Sequence, residues 1–153
     1  MTRVPQDSAF AGTTAVTQRA LAGAPQALIR AIEPSTHIEY DRVVFVFDGD
    51  VPGYHVEYAT RPVRCGSGDP VSVHGAGQLL VRFEPARAHD EQGRPSLPAR
   101  ERALGLAALT EWKLICDFEG QVELLLGVTT KAPYRMSEQL GPARLVLDVQ
   151  HGP

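Results

Sequence analysis

From Tyr40 onward, apolar residues recur at every second position. Val43, Phe45 and Phe47 share one face. Tyr54, Val56 and Tyr58 alternate with His55 and Glu57, and Leu79, Val81 and Phe83 alternate with Leu80, Arg82 and Glu84. Further on, Trp112, Leu114, Cys116 and Phe118 alternate with Glu111, Lys113, Ile115 and Asp117, followed by Val122, Leu124, Leu126 and Val128. Leu145, Leu147 and Val149 close the series. A period of two places alternate side chains on opposite faces, so these runs predict half-buried strands. Gln26–Glu33, ended by Pro34-Ser35, reads as a first edge strand, with a helical turn as the alternative.

The punctuation agrees. Glu119-Gly120 joins two strand patterns and supplies the glycine that a tight antiparallel hairpin needs at positive φ. Val51-Pro52-Gly53 and Gly66-Ser67-Gly68-Asp69-Pro70 separate others. Ala99–Leu109 is the one helix candidate, short because Gly105 interrupts it at a cost of ~1 kcal/mol. Short strands with frequent turns pack most simply as two facing sheets or a flattened barrel, and crossover helices for a parallel sheet are missing. The pattern therefore predicts an all-β fold, an antiparallel β-sandwich of two small sheets with at most one short helix near 99–109. Residues 1–25, rich in Ala, Thr, Gly and Gln, read as a flexible leader whose removal should not unfold the domain at 26–151.

Composition narrows the partners. The 153 residues suit one domain with a sizeable core. A net charge of -3, with both signs interspersed, offers no basic stripe for phosphates and argues against nucleic acid. No run approaches the ~20 apolar residues of a membrane span, and residues 1–25 lack a charged segment followed by an apolar one. Cys65 and Cys116 have no metal-site spacing. Two free thiols is the reading these residues favour, with a disulfide as the alternative in an oxidising compartment.

Candidate chemistry is sparse. His37, Asp41, His89 and Asp90 could supply metal ligands, but their spacing carries no such signature, and no cofactor is implied. Asp117 and Glu119 flank Phe118 and, with His89, could supply the acid and base of a hydrolase, although capping or a hairpin salt bridge explains both carboxylates more simply. No Gly-x-Ser-x-Gly elbow or phosphate-cradling loop is present. Arg42 and Asp48, like Arg144 and Asp148, are separated by even numbers and share a face. They read either as cross-strand ion pairs or as a binding face in which guanidinium groups grip a carboxylate. Among the aromatic residues, Trp112 is core by phase, while the pattern leaves Tyr40 and Tyr134 open.

An ordered series of motifs carries a resemblance: His37 through Gly49, Val51–Tyr58, Gly66-Ser67-Gly68, Phe83-Glu84-Pro85-Ala86, Ala88-His89-Asp90, Asp117–Gly120, Pro133–Met136 and Pro142–Val149. From about Leu28 to His151 the chain resembles the AMIN-like domain of actinobacterial secreted proteins and lipoproteins, related to the AMIN domains that localise cell-wall amidases and secretins. The resemblance implies a β-sandwich without catalytic residues, a non-enzymatic binding module of the envelope that holds peptidoglycan or a wall-associated protein. It implies a polar recognition surface at His37, Tyr40, Asp41, Arg42, Asp117, Glu119 and Arg135. Relatives carry a signal peptide, often with a lipid-modified Cys and a Ser/Thr/Pro-rich spacer. This sequence opens with neither, which leaves a cytoplasmic location open beside the envelope or extracellular one. Two other readings stand next to it: an adaptor that pairs through a sheet edge at Gln26–Glu33, and a hydrolase using Asp117, Glu119 and His89.

Overall fold

A computed structural model describes residues 10–152 and places them in eleven strands: β1 (Thr17–Arg19), β2 (Ala27–Thr36), β3 (Tyr40–Asp48), β4 (Gly53–Tyr58), β5 (Gly77–Glu84), β6 (Ala86–Arg87), β7 (Glu101–Ala103), β8 (Leu109–Phe118), β9 (Gln121–Val128), β10 (Tyr134–Gln139) and β11 (Arg144–Gln150). They form a six-stranded sheet, β1-β4-β5-β9-β8-β7, and a five-stranded sheet, β10-β11-β3-β2-β6. All pairings are antiparallel except the short one between β2 and β6. The fold is the predicted all-β sandwich of two sheets.

Alternation does the folding work. In β3 and β5 every second side chain is buried, and these inner faces meet across the sandwich. Phe83 packs edge-on against Phe45 and Phe47, with ring centroids 4.9 and 5.1 Å apart. Removing such side chains from water is the main stabilising term, about 1.5–3 kcal/mol for each fully buried one. The β8–β9 connection is the two-residue hairpin expected, with Glu119 at φ 51° and Gly120 at φ 83°, the mirror-image turn that follows the strand twist.

Four expectations are corrected. No helix forms at 99–109, or anywhere among the described residues; that stretch holds β7 and a tight turn in which Leu106 N–H donates to the Leu109 carbonyl and Gly105 has φ 64°. Strand pairing of Glu101–Ala103 with β8 overrides the local helix preference. The leader reading fails from Thr13 onward, because Thr13 bridges to Tyr134 and Thr17–Arg19 pairs with β4; its first nine residues lie outside the described part. β2 runs past Pro34 to Thr36. With a ladder bond from His37 N–H to the Tyr40 carbonyl and alternation from there, Pro34 falls at a non-hydrogen-bonded position opposite Val43, so no ladder donor is lost. Finally, Cys65 and Cys116 form a disulfide, Cα–Cα 5.2 Å, and are not free thiols.

The disulfide goes with a shift in phase. A bulge between Leu114 and Cys116 puts Cys116 opposite Glu123, on the outer face, instead of in line with Trp112 and Leu114. Beyond it Phe118 is exposed, contrary to the simple alternation. Residues 59–76, between β4 and β5, cross this outer face. Cys65 N–H donates to the Ile115 carbonyl, Lys113 Nζ to the Ser72 carbonyl, and Thr110 Oγ1 to the His74 carbonyl. Gly127 lies beneath this crossing, where a Cβ would sit 2.5 Å from the His74 oxygen. Leu125 and Ile115 are buried here without joining the inter-sheet core.

Candidate functional site

The structure divides the seven expected recognition residues into groups. β3, β10 and β11 place Arg42, Asp148 and Arg135 directly opposite one another on the outer face of the five-stranded sheet. Arg42 grips Asp148 with two hydrogen bonds, Nε to Oδ1 at 2.7 Å and Nη2 to Oδ2 at 3.1 Å, while Arg135 Nε donates to Oδ2 at 2.9 Å. The Asp148 side chain is 3% exposed and both arginines about a third, so one carboxylate is buried between two guanidinium groups. The hydrogen bonds and charge of Asp148, its attraction reinforced by Tyr40, raise the Arg42 pKa against the opposing effect of burial. The cross-strand ion pair foreseen for Arg42 is real, but its partner is Asp148; Asp48 instead meets Arg30.

Aromatic rings flank this row. Tyr40 lies two residues from Arg42 on the same face, with the Arg42 and Arg135 guanidinium carbons 5.4 and 5.0 Å from its ring centroid. Arg135 also sits 4.4 Å from the centroid of Phe10, and His37 stacks on Tyr40 at 4.7 Å. His37, Tyr40, Arg42 and Arg135 thus form one outward cluster, joined by Phe10 and Asp148. Even spacing in sequence signalled Asp148; nothing in the sequence signalled Phe10.

Asp41 points the other way and is fully buried, so it leaves the recognition surface. Its carboxylate accepts hydrogen bonds from Thr36 Oγ1 (2.6 Å) and from the Ala108 and Leu109 amides (2.6 and 3.1 Å), and it contacts His151 Nε2 at 2.9 Å. Burial pushes its pKa up, but the bonds to Thr36, His151 and the two amides outweigh burial and hold it below the ordinary 3.8. This carboxylate ties the start of β3 to the turn before β8 and to the residue after β11.

Asp117 and Glu119 lie at the opposite end of the sandwich. Asp117, near the end of β8, accepts the Ala88 amide at 3.0 Å and contacts His89 Nδ1 at 2.7 Å, linking the six-stranded sheet to the segment after β6. β6 pairs beside the Asp48 end of β3, roughly 25 Å of strand from Tyr40. Glu119 is exposed in its turn and makes no polar contact with Asp117 or His89. The metal candidates are dispersed too: His37 stacks on Tyr40, Asp41 is buried, His89 meets Asp117 and Asp90 pairs with Arg94.

A groove of about 480 Å³ runs between residues 18–24 and the ends of β4 and β5. Its charged groups already have partners: Arg19 with Glu138, Arg82 with Glu123 and His55 with Glu57. Sequence reasoning also missed a smaller pocket beside the disulfide, because its walls are distant in sequence and are brought together by the Cys65–Cys116 bond and the hydrogen bonds of Arg64 and Cys65 to β8.

Two packed sheets, with aromatic and guanidinium groups turned outward from one of them, define a small all-β sandwich domain. Residues 27–151 match the family model of the AMIN-like domain, and the chain belongs to that family. Membership suggests a cell-wall-related binding module of the envelope or exterior in general terms. No curated protein and no solved structure matches the chain. No helix among the described residues is long and apolar enough to cross a membrane.

Proposed function

We propose that this domain is a non-enzymatic binding module of the cell envelope that recognises peptidoglycan or a wall-associated protein through the outer face of its five-stranded sheet. The observation that carries the reading is the His37–Tyr40–Arg42–Arg135 cluster, held in place by buried Asp148. Strands fix Tyr40, Arg42 and Arg135 in advance, and His37 stacks on Tyr40 from the turn between β2 and β3, so little side-chain entropy is lost when these groups stack on a sugar or a peptide plane. The Cys65–Cys116 bond supports an exported location, since reducing interiors keep thiols apart. Against a hydrolase, Asp117 is already engaged with Ala88 and His89, and Glu119 stands outside that contact.

Retention of the full chain on purified wall sacculi tests the reading. The wild type should be retained, and the His37→Ala/Tyr40→Ala double variant should lose at least fivefold of that retention while its melting temperature stays within a few degrees. Wild-type retention no greater than that of a control protein would refute wall binding.

A further inference from the structure

The disulfide also builds a pocket. It draws Arg64–Ser67 of the β4–β5 connection beside residues 115–118 of β8, and Arg100, just before β7, completes a cavity of about 330 Å³. That volume suits one or two amino-acid residues. The floor is apolar, made by Ile115 and the disulfide, and Phe118 stands at the site 60% exposed.

Two arginines line this pocket. Arg19, Arg30, Arg42, Arg82, Arg94 and Arg135 each meet a carboxylate of the chain. Arg64 instead donates one long hydrogen bond, Nη1 to the Leu114 carbonyl at 3.4 Å, and the Arg100 side chain has no polar partner among the described residues. Asp117, the one acid in the lining, is occupied by the Ala88 amide and His89. Two guanidinium groups therefore face one small cavity without a carboxylate to receive their hydrogen bonds. A guanidinium fork matches a carboxylate in two parallel bonds.

The geometry points to this pocket as a binding site for the terminal carboxylate of a peptide, with Arg64 and Arg100 holding the carboxylate and Phe118 and Ile115 touching the last side chain. The site is separate from the Tyr40 cluster, and its test does not depend on wall binding. Titration of the oxidised full chain by calorimetry would use N-acetyl-Ala-Phe, the same dipeptide as its C-terminal amide, and inorganic phosphate. The acid should bind saturably, and the amide at least tenfold more weakly. Arg100→Ala and Arg64→Ala should each weaken the acid at least fivefold with an unchanged fold by circular dichroism, whereas Arg102→Ala, exposed on β7 outside the pocket, should not. Equal binding of acid and amide, absence of binding by the acid, or indifference to Arg100→Ala would overturn the proposal. Binding of phosphate alone would overturn the assignment of the ligand.

Discussion

Asp41 shows at the scale of one residue how a polar group can mislead a reader of sequence. Its neighbours Tyr40 and Arg42 face outward, so alternation turns Asp41 inward, in phase with Val43, Phe45 and Phe47, where it holds Thr36, His151 and the Ala108 and Leu109 amides. Replacing it by Ala leaves the Ala108 and Leu109 amides buried without an acceptor, so Asp41→Ala should lose ~3 kcal/mol in urea unfolding, and Asp41→Asn, which keeps one oxygen, less. The pH dependence has a definite sign. Because the folded carboxyl is held below its ordinary value of 3.8, the unfolded chain binds the proton first. Its stabilisation is complete above that ordinary value and drains away as the pH falls through the lower folded one. Between pH 7 and pH 3 the urea midpoint of Asp41→Asn should therefore fall less than that of the wild type; an equal fall would show that Asp41 does not carry this term.

Among the elements, the 59–76 connection behaves as part of the structure. It covers Leu125 and Ile115 and is tied to β8 by the backbone bond from Cys65 to Ile115, by Lys113 and by the Cys65–Cys116 bridge. Cross-linking positions 51 residues apart removes unfolded-chain entropy worth about 4 kcal/mol. The Cys65→Ser/Cys116→Ser variant should lose stability of that order, with hydrogen exchange rising first in 59–76 and in β8. β2 is flanked by β6 only at Ala27–Leu28, and Ile29 is fully buried. A proline at Ile29 would damage the core, and so could not report on edge pairing. The free side of β2 is blunted by the bulge between Ile29 and Ala31 and by Pro34.

For the molecule as a whole, the segment read as a leader is a seam. It passes from Thr13, bridged to β10 of one sheet, to β1, paired with β4 of the other. Tyr134 fastens it: the hydroxyl, buried in the core, lies 2.5 Å from the Ala15 carbonyl oxygen and 3.1 Å from that of Val56. Arg19 and Glu138 tie the same two edges at 2.7 Å. Tyr134→Phe should cost about 1–2 kcal/mol, a fall of roughly 3–8 °C in Tm, and raise amide exchange at Thr17–Arg19 above that of the central strands. Unchanged exchange there would show that the hydroxyl does not hold the seam.

Alternation alone was enough to read β3, β4, β5, β9 and β11, because side-chain direction in a strand depends only on position along it, and the glycine of Glu119-Gly120 was enough to read the turn. Even spacing likewise put Arg42 and Asp148 on faces able to form ion pairs. Partners are another matter. That Arg42 meets Asp148, that the Leu114/Cys116 bulge turns Cys116 toward Cys65, that the inward-facing Asp41 meets His151 and the Ala108 and Leu109 amides, and that 13–19 closes the sandwich depend on which strands lie side by side and on small shifts of register. The contact of Arg64 and Arg100 with one cavity is of the same kind. Period sets which way each side chain faces; only the packed sheets decide what it meets, since neighbours distant in sequence are chosen by the free energy of the whole core.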